Sequence, residues 1–326
     1  MRLPFDVRDI TKSGSQFSEE RDRPLRIALF IADDAPEALV ETVRSRFRPF
    51  TAAVKLHIEV AEQGTKLLVD PSADAVVGLF GAARGGLAPS LAEARERAVP
   101  TAVIALAEEP FGAADTLGHP LRDTLVDPDP ERLVEVLLGE WLVERIPAKR
   151  LALAHNFVFM RRAVAVEAVK NTAMQNGVIG VVAIIPGADM PLMTANQAKM
   201  VLQIAAAYGE SLGADRLKEL LGVLGGGFLL RTVARQAAAF VPGFGWAVKG
   251  GIGYTGTIAM GYAAIRYFEN GADLGDLKER LEVYGERVGE RLRAMRRRGD
   301  RPQLQVVAPD PELPPAPAGE NVDGEG

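Results

Sequence analysis

Three short apolar runs in the first half of the chain constrain its fold more than any other feature. Each run is six residues long, which is too short for a stable helix and typical of a strand buried on both faces of a parallel sheet. The runs are residues 26–31, 75–80 and 101–106. Helical patterns follow over residues 36–47, 89–98 and 130–143. Because strands alternate with helices, residues 25–146 are predicted to form an α/β domain with a parallel sheet in three layers.

One further strand is predicted near the start of this domain. Residues 53–60 alternate apolar and polar side chains, as a half-exposed strand does, and we interpret residues 66–69 as its hairpin partner. The residues before Leu25 show little periodicity, so residues 1–24 are predicted to be a disordered arm. They contain no apolar core run, so no signal peptide is predicted and the chain is expected to start in the cytoplasm.

The second half of the chain is rich in small and apolar residues. Hydrophobic residues make up 48% of the chain but aromatic residues only 6%, a composition that suits closely packed helices. We predict an all-α helical module over residues 147–270 and an amphipathic helix over residues 271–298. Residues 299–326 are rich in Pro, Ala, Glu and Asp and are predicted to be a disordered tail.

Within this module, residues 246–268 form a long apolar segment with rows of small residues at four-residue spacing. Such rows let a second helix approach closely, and the predicted helix-packing positions include Gly251, Gly253, Thr257 and Gly261. The segment has 23 residues, and roughly 20 are needed to cross a bilayer. Residues 223–268 are therefore predicted to form a helical hairpin that spans or dips into a membrane. The alternative is a soluble helical bundle.

No complete catalytic site is visible in the sequence. The chain has no cysteine, and no two of its three histidines lie at a ligand spacing, so neither a thiol nucleophile nor a metal site is predicted. Residues 32–37, after the first strand, lack the glycines, lysine and hydroxyl of a phosphate-binding loop and carry three carboxylates instead. Residues 107–110 lack the guanine-reading element of GTPases. We therefore expect no cofactor and no nucleotide bound in the usual mode.

Two features leave alternatives open. Asp33 and Asp34 lie where parallel sheets bind ligands, so they are candidates for a metal or general-base site, whereas the simpler interpretation is that Asp34 caps the next helix. Residues 81–86 are similar to a glycine-rich loop with one cation, although a plain surface loop has the same composition. The net charge of −5 gives no reason to expect a nucleic-acid partner.

A set of motifs is spread over residues 150–270. The motifs are residues 187–190, Gln197, Met200, residues 208–209, residues 225–227, Arg231, residues 234–235, residues 241–245 and residues 267–269. Together they resemble the bacterial domain of unknown function numbered 697. In that family the helical module commonly follows a GTPase domain and is often predicted to be embedded in a membrane. The resemblance implies that residues 25–146 are a GTPase-like domain without its nucleotide motifs.

Polar side chains in the apolar module are candidate functional residues. They are Asp189, Gln197, Arg231, Arg235 and Lys249. An ionisable group in apolar surroundings is either paired or functional, and Asp189 is predicted to pair with Arg231 or Arg235. The alternative is that Asp189 caps the following helix while the two arginines extend to solvent.

A basic cluster closes the predicted amphipathic helix. Its members are Arg291, Arg293, Arg296, Arg297 and Arg298. Beside a membrane module these arginines would face anionic lipid and mark the cytoplasmic side. In the alternative interpretation they only complement the dipole of the helix.

Taken together, these patterns predict a non-catalytic, pseudo-GTPase-like scaffold or assembly element at the cytoplasmic face of the cell membrane. Its expected partners are the membrane and further copies of itself, with no nucleic acid. One alternative is a divergent nucleotide-binding enzyme with its site at residues 32–37 and 81–86. The other is a soluble adaptor that oligomerises through residues 246–292.

Overall fold

A computed structural model describes residues 7–61, 67–81, 87–106, 121–182, 190–210, 217, 220–222 and 245–271. The strands are β1 (Leu25–Ala32), β2 (Val54–Ala61), β3 (Ala75–Phe80), β4 (Thr101–Ala105) and β5 (Thr124–Val126). The helices of the first half are α1 (Val7–Arg21), α2 (Glu37–Arg46), α3 (Ala88–Glu96) and α4 (130–145). Those that follow are α5 (Arg150–Asn156), α6 (Met160–Val182), α7 (Met190–Ala207) and α8 (Gly245–Glu269).

The strands form one parallel sheet in the order β2-β1-β3-β4-β5. Every residue of β3 and β4 is buried, as the apolar runs require. The prediction of an α/β fold with a parallel sheet is therefore confirmed. This strand order is one of the common doubly wound orders, and its switch point, where ligands usually bind, lies between β1 and β3.

Helices cover both faces of the sheet. On one face α2 and α4 pack over side chains such as Leu29 and Val77. On the other face α3 packs over Phe30 and Val103. Alternation of side chains along each strand sends neighbouring residues to opposite faces, which is why the runs are apolar at nearly every position.

The predicted hairpin partner of β2 is not a strand in the part of this segment that is described. Residues 67–69 run as extended coil with Leu67 and Val69 buried against the α3 face of the sheet. The backbone N–H of Leu67 donates to the hydroxyl of Ser90 at 3.0 Å. Leu67 and Val69 pack against α3 side chains such as Leu91 instead of pairing with β2.

The prediction of a disordered arm over residues 1–24 is wrong for α1. Phe17 packs against both the sheet core and the core of the helical region, and Arg23 donates to the carbonyl of Ala148 at 2.6 Å. Burial raises the pKa of the Glu20 carboxyl, whose oxygen accepts from the backbone of Leu151. Tertiary packing of this kind stabilises a helix whose own periodicity is weak.

The core continues across the predicted domain boundary at residues 146 and 147. Leu151, Phe157 and Met160 belong to the same buried cluster as the strand side chains. The ring of Phe47, at the end of α2, lies 5.1 Å from the ring of Phe157 and 5.2 Å from that of Phe159. All of the described residues belong to one compact unit.

Helices α6, α7 and α8 pack around a second buried cluster, which includes Val169, Val201 and Ile265. Helix α8 runs antiparallel to α6, because Gly253 lies beside Asn176 and Gly261 lies beside Val169. The two helices therefore remain in contact over most of their length.

Candidate functional site

At the switch point of the sheet, the turns that follow β1 and β3 lie against each other. A Cβ atom on Gly81, directly after β3, would overlap the backbone carbonyl of Asp34 in the turn after β1. The two turns are therefore in direct contact between the carboxyl ends of β1 and β3. A phosphate at this point would meet a carbonyl oxygen instead of a cradle of backbone N–H groups.

The acidic residues of this turn were considered from the sequence as a helix cap and as a metal or general-base site. The N-cap position of α2 is Pro36, so Asp34 is not the N-cap residue of that helix. Within the described residues no group of three or more His, Asp or Glu side chains is arranged to hold a metal. Residues 82–86 of the glycine-rich segment, and residues 107–110, lie outside the described residues.

The structure places two of the predicted helix-packing glycines at the contact between α6 and α8. A Cβ atom on Gly253 would lie 2.8 Å from the carbonyl oxygen of Asn176, and one on Gly261 would overlap the side chain of Val169. Only glycine allows the two helices to approach this closely. Gly251 and Lys249 lie in the first turns of α8, and their surroundings are outside the description.

A buried polar network joins α6, α7 and α8 at the same level. Asn176, which is fully buried, donates to the hydroxyl of Thr257 at 2.9 Å. Gln197 donates to the same hydroxyl at 3.2 Å, and Asn196 donates to the side-chain oxygen of Asn176 at 3.0 Å. The hydroxyl of Thr257 itself donates to the carbonyl of Gly253 at 2.8 Å. One donated and two accepted bonds satisfy that hydroxyl completely.

This network connects α6, α7 and α8 by hydrogen bonds and contains no titratable group. Amides and a hydroxyl with satisfied partners offer no nucleophile or base. Gln197 and Thr257 were picked out from the sequence, but Asn176 and Asn196 were missed. Asn176 could have been recognised from the sequence as an amide in an otherwise apolar stretch. It lies four residues after Thr172 and opposite the small-residue rows of α8.

An exposed apolar surface lies beyond this network, where α6 ends and α7 begins. Its members are Met174, Val178, Val181 and Leu192, with exposed fractions of 62%, 55%, 44% and 54%. We call these four residues the apolar end. Met174, Val178 and Leu192 also line an open groove with Gln175, Ile179 and Asn196. Contiguous exposed apolar side chains of this kind mark sites of interaction.

The apolar end lies in a segment almost without charge. Between residues 171 and 198 the sequence has one charged residue, Asp189. Residues 245–265 of the neighbouring helix α8 have one, Lys249. The opposite end of the helices is polar, since Arg162 pairs with Glu269 at 2.8 Å and Tyr208 donates to Glu269 at 2.9 Å. Burial, with help from the Glu269 charge, raises the pKa of the Tyr208 phenol.

Several predicted site residues lie outside the described residues. They are Asp189, Arg231, Arg235, Arg291, Arg293, Arg296, Arg297 and Arg298. The predicted pairing of Asp189 with one of the two arginines therefore stays a prediction, as does the contact of the basic cluster with lipid.

No helix in the described parts of the chain combines the length and apolar character needed to cross a bilayer. Helix α8, the described part of the predicted hairpin, therefore does not support its spanning form, because the glycines, threonines and tyrosines of α8 lower its hydropathy. Residues 223–244 lie outside the described residues.

No protein-family model and no curated protein matches the chain. The resemblance to the domain of unknown function numbered 697 stays a prediction.

Proposed function

We propose that this protein is a non-catalytic scaffold that docks peripherally on the cytoplasmic face of a membrane through its apolar end. The observation that supports this function best is the coincidence of exposed apolar side chains with a surface almost without charge. Met174, Val178 and Val181 follow one another at helical spacing on α6, and Leu192 lies beside them at the start of α7.

Lipid is the partner that fits this surface. Hydrocarbon strongly disfavours charged side chains, whereas protein interfaces usually have a polar rim with charged residues around the apolar centre. The apolar end has exposed Met, Val and Leu side chains, the groove beside it adds glutamine and asparagine amides, and neither includes a charged side chain among its described residues. Such a surface can enter the boundary between headgroups and acyl chains without burying an ion.

The expected affinity is modest. Each of the four side chains is about half exposed, so its transfer into lipid should contribute ~1 kcal/mol, or about 4 kcal/mol in total. A single weak anchor of this size binds reversibly and needs a second signal. The basic cluster at residues 291–298 would supply that signal, at about 1 kcal/mol for each arginine near anionic lipid.

Docking in this way would hold the sheet away from the lipid. The sheet core includes Met160 and Val164 at the start of α6, whereas the apolar end begins at Met174. The 14 residues from Met160 to Met174 correspond to about 20 Å along a helix. The α/β part would therefore be displayed to the cytoplasm, as suits a scaffold.

The proposal includes an α/β part that does not bind nucleotide in the phosphate-loop mode. The contact of Gly81 with the Asp34 carbonyl supports this, since it puts a carbonyl oxygen where a phosphate would bind. The GTPase-like ancestry rests on the family resemblance alone, because doubly wound sheets of this kind serve many functions.

Vesicle flotation tests the proposed function. The wild-type protein is expected to float weakly with neutral vesicles of phosphatidylcholine and more strongly when phosphatidylserine is added, because the basic cluster then contributes. Val178→Asp should abolish binding to neutral vesicles, since an aspartate cannot enter the hydrocarbon. The matched control is Val136→Asp, at a side chain 45% exposed on α4, which should float like the wild type.

Two outcomes would overturn membrane docking. One is a wild-type protein that floats with neither kind of vesicle. The other is a folded Val178→Asp variant that floats as well as the control. Raised salt distinguishes the two anchors, since it should remove the extra binding to anionic vesicles and leave the binding to neutral vesicles unchanged.

A further inference from the structure

The outer edge of β2 is a candidate interaction surface that does not belong to the proposed membrane site. β2 lies at one end of the sheet and pairs with β1 over eight registered residues. No other strand of the described residues pairs with it. Ile58 and Val60 are 48% and 58% exposed, so this edge has apolar side chains in water.

The backbone groups that face outward from this edge follow from the register. The N–H of Leu25 donates to the carbonyl of Ala53 at 3.1 Å, and Leu25 lies opposite Val54. In a parallel ladder, alternate residues point both N–H and C=O at the same neighbour. The odd-numbered residues of β2 therefore bond to β1, and Val54, Leu56, Ile58 and Val60 direct their N–H and C=O groups outward.

The side chains of β2 form two rows of opposite character. Leu56, Ile58 and Val60 lie on the α2 face of the sheet, because their partners in β1 include Leu29 and Ile31. Lys55, His57 and Glu59 form a polar row on the opposite face. His57 and Glu59 are within this row, with 2.9 Å between Nε2 of the ring and the carboxylate.

We propose that two copies of this chain pair through β2 in antiparallel orientation, about a twofold axis at His57, and so form one continuous sheet. In this register Lys55 lies opposite the partner's Glu59, and Leu56 lies opposite the partner's Ile58. The strand is thus complementary to itself in charge and in apolar character. An isologous contact of this kind closes at the dimer.

Hydrogen bonding and charge together select the register. Outward-facing residues must lie opposite outward-facing residues for the new ladder to form, which excludes every shift by an odd number of residues. A shift of the register by two residues places Lys55 opposite the partner's Ala61 in one direction and opposite the partner's His57 in the other. Both Lys–Glu pairs are lost in either case. Opposite charges directly across an antiparallel pair stabilise it, and like charges destabilise it.

Self-complementarity is the reason to assign this edge to a second copy and not to an unrelated extended peptide. A long edge strand with exposed apolar side chains is a liability unless it is covered, and two copies cover each other. The interface does not depend on lipid or on the apolar end, so it can be tested in the absence of vesicles.

Charge reversal tests the proposal. Sedimentation velocity over rising concentration is expected to show a dimer for the full-length wild-type chain. Lys55→Glu and Glu59→Lys, each alone, should weaken the dimer by at least about tenfold, because two attractive pairs become two repulsive ones. Mixed in equal amounts, the two variants should form a heterodimer, since both pairs between positions 55 and 59 are again opposite in charge.

The matched control is Arg44→Glu, an exposed residue on α2 that changes the net charge by the same amount as Lys55→Glu and should leave the dimer intact. A wild-type chain that stays monomeric at all concentrations would overturn the proposal. So would folded single variants that dimerise like the wild type, or a mixture of the two variants that remains monomeric. Circular dichroism of each variant checks its folding.

Discussion

At the scale of single residues, two features determine how the helices of the second half pack. One is a glycine without a side chain at the helix contact, and the other is a buried asparagine amide. Gly253 brings the backbone of α8 against Asn176, and the amide of Asn176 then reaches Thr257. A buried amide without partners would destabilise the fold by about 1–3 kcal/mol. The close approach and the polar network therefore depend on each other.

Gly261 provides a direct test of this close approach. Gly261→Ala is expected to lower the free energy of unfolding by about 1–3 kcal/mol, because the new Cβ would overlap Val169. Val169→Ala in the same chain should recover part of the loss, since it removes the overlapping methyl groups. Urea unfolding measures both effects.

The control for this test is Gly222→Ala, since a Cβ built at Gly222 meets no atom of another described element within 4 Å. That variant should be neutral or slightly more stable. If Gly261→Ala were as stable as Gly222→Ala, the helices would be farther apart than described.

At the scale of elements, α1 stands out because its sequence gives little indication of a helix. Phe17 lies where the sheet core and the helical core meet and packs against both. Helix α1 therefore covers a junction that would otherwise be open to water.

Phe17→Ala should destabilise the protein by about 1–3 kcal/mol, because a large side chain is lost from two partly buried contacts. Amide hydrogen exchange should become faster in α1 before it changes in β1 or β3. The control is Glu19→Ala, at an exposed position of the same helix, which should alter neither stability nor exchange appreciably. Equal exchange rates in α1 for wild type and Phe17→Ala would show that Phe17 does not hold the helix.

The elements also show which parts of the fold the sequence patterns can predict and which they cannot. The apolar runs at residues 75–80 and 101–106 predicted β3 and β4 because a strand buried on both faces needs apolar residues throughout. β5 was missed because Thr124–Val126 is three residues long and only partly buried. The apolar end could not be found, because spacing alone does not distinguish Val178, exposed on α6, from Val169, buried on the same helix.

At the scale of the whole molecule, the contact at the switch point gives a prediction about nucleotides. Calorimetric titration with GTP or ATP in the presence of Mg²⁺ should give no saturable heat, because the Asp34 carbonyl lies where phosphates would bind. Saturable binding in the micromolar range, weakened by Asp34→Ala, would favour the divergent enzyme instead. The matched control is Glu41→Ala, at an exposed position of α2, because it removes one negative charge as Asp34→Ala does.

The continuous core has a consequence for how such a chain can be inherited. Leu151, Phe157 and Met160 complete the packing of a sheet that ends before them in the sequence. A recombination event or an engineered fusion that exchanged the two halves at residue 146 would leave these side chains facing a foreign surface. The α/β part and the first helices after it therefore share one core and are expected to evolve together.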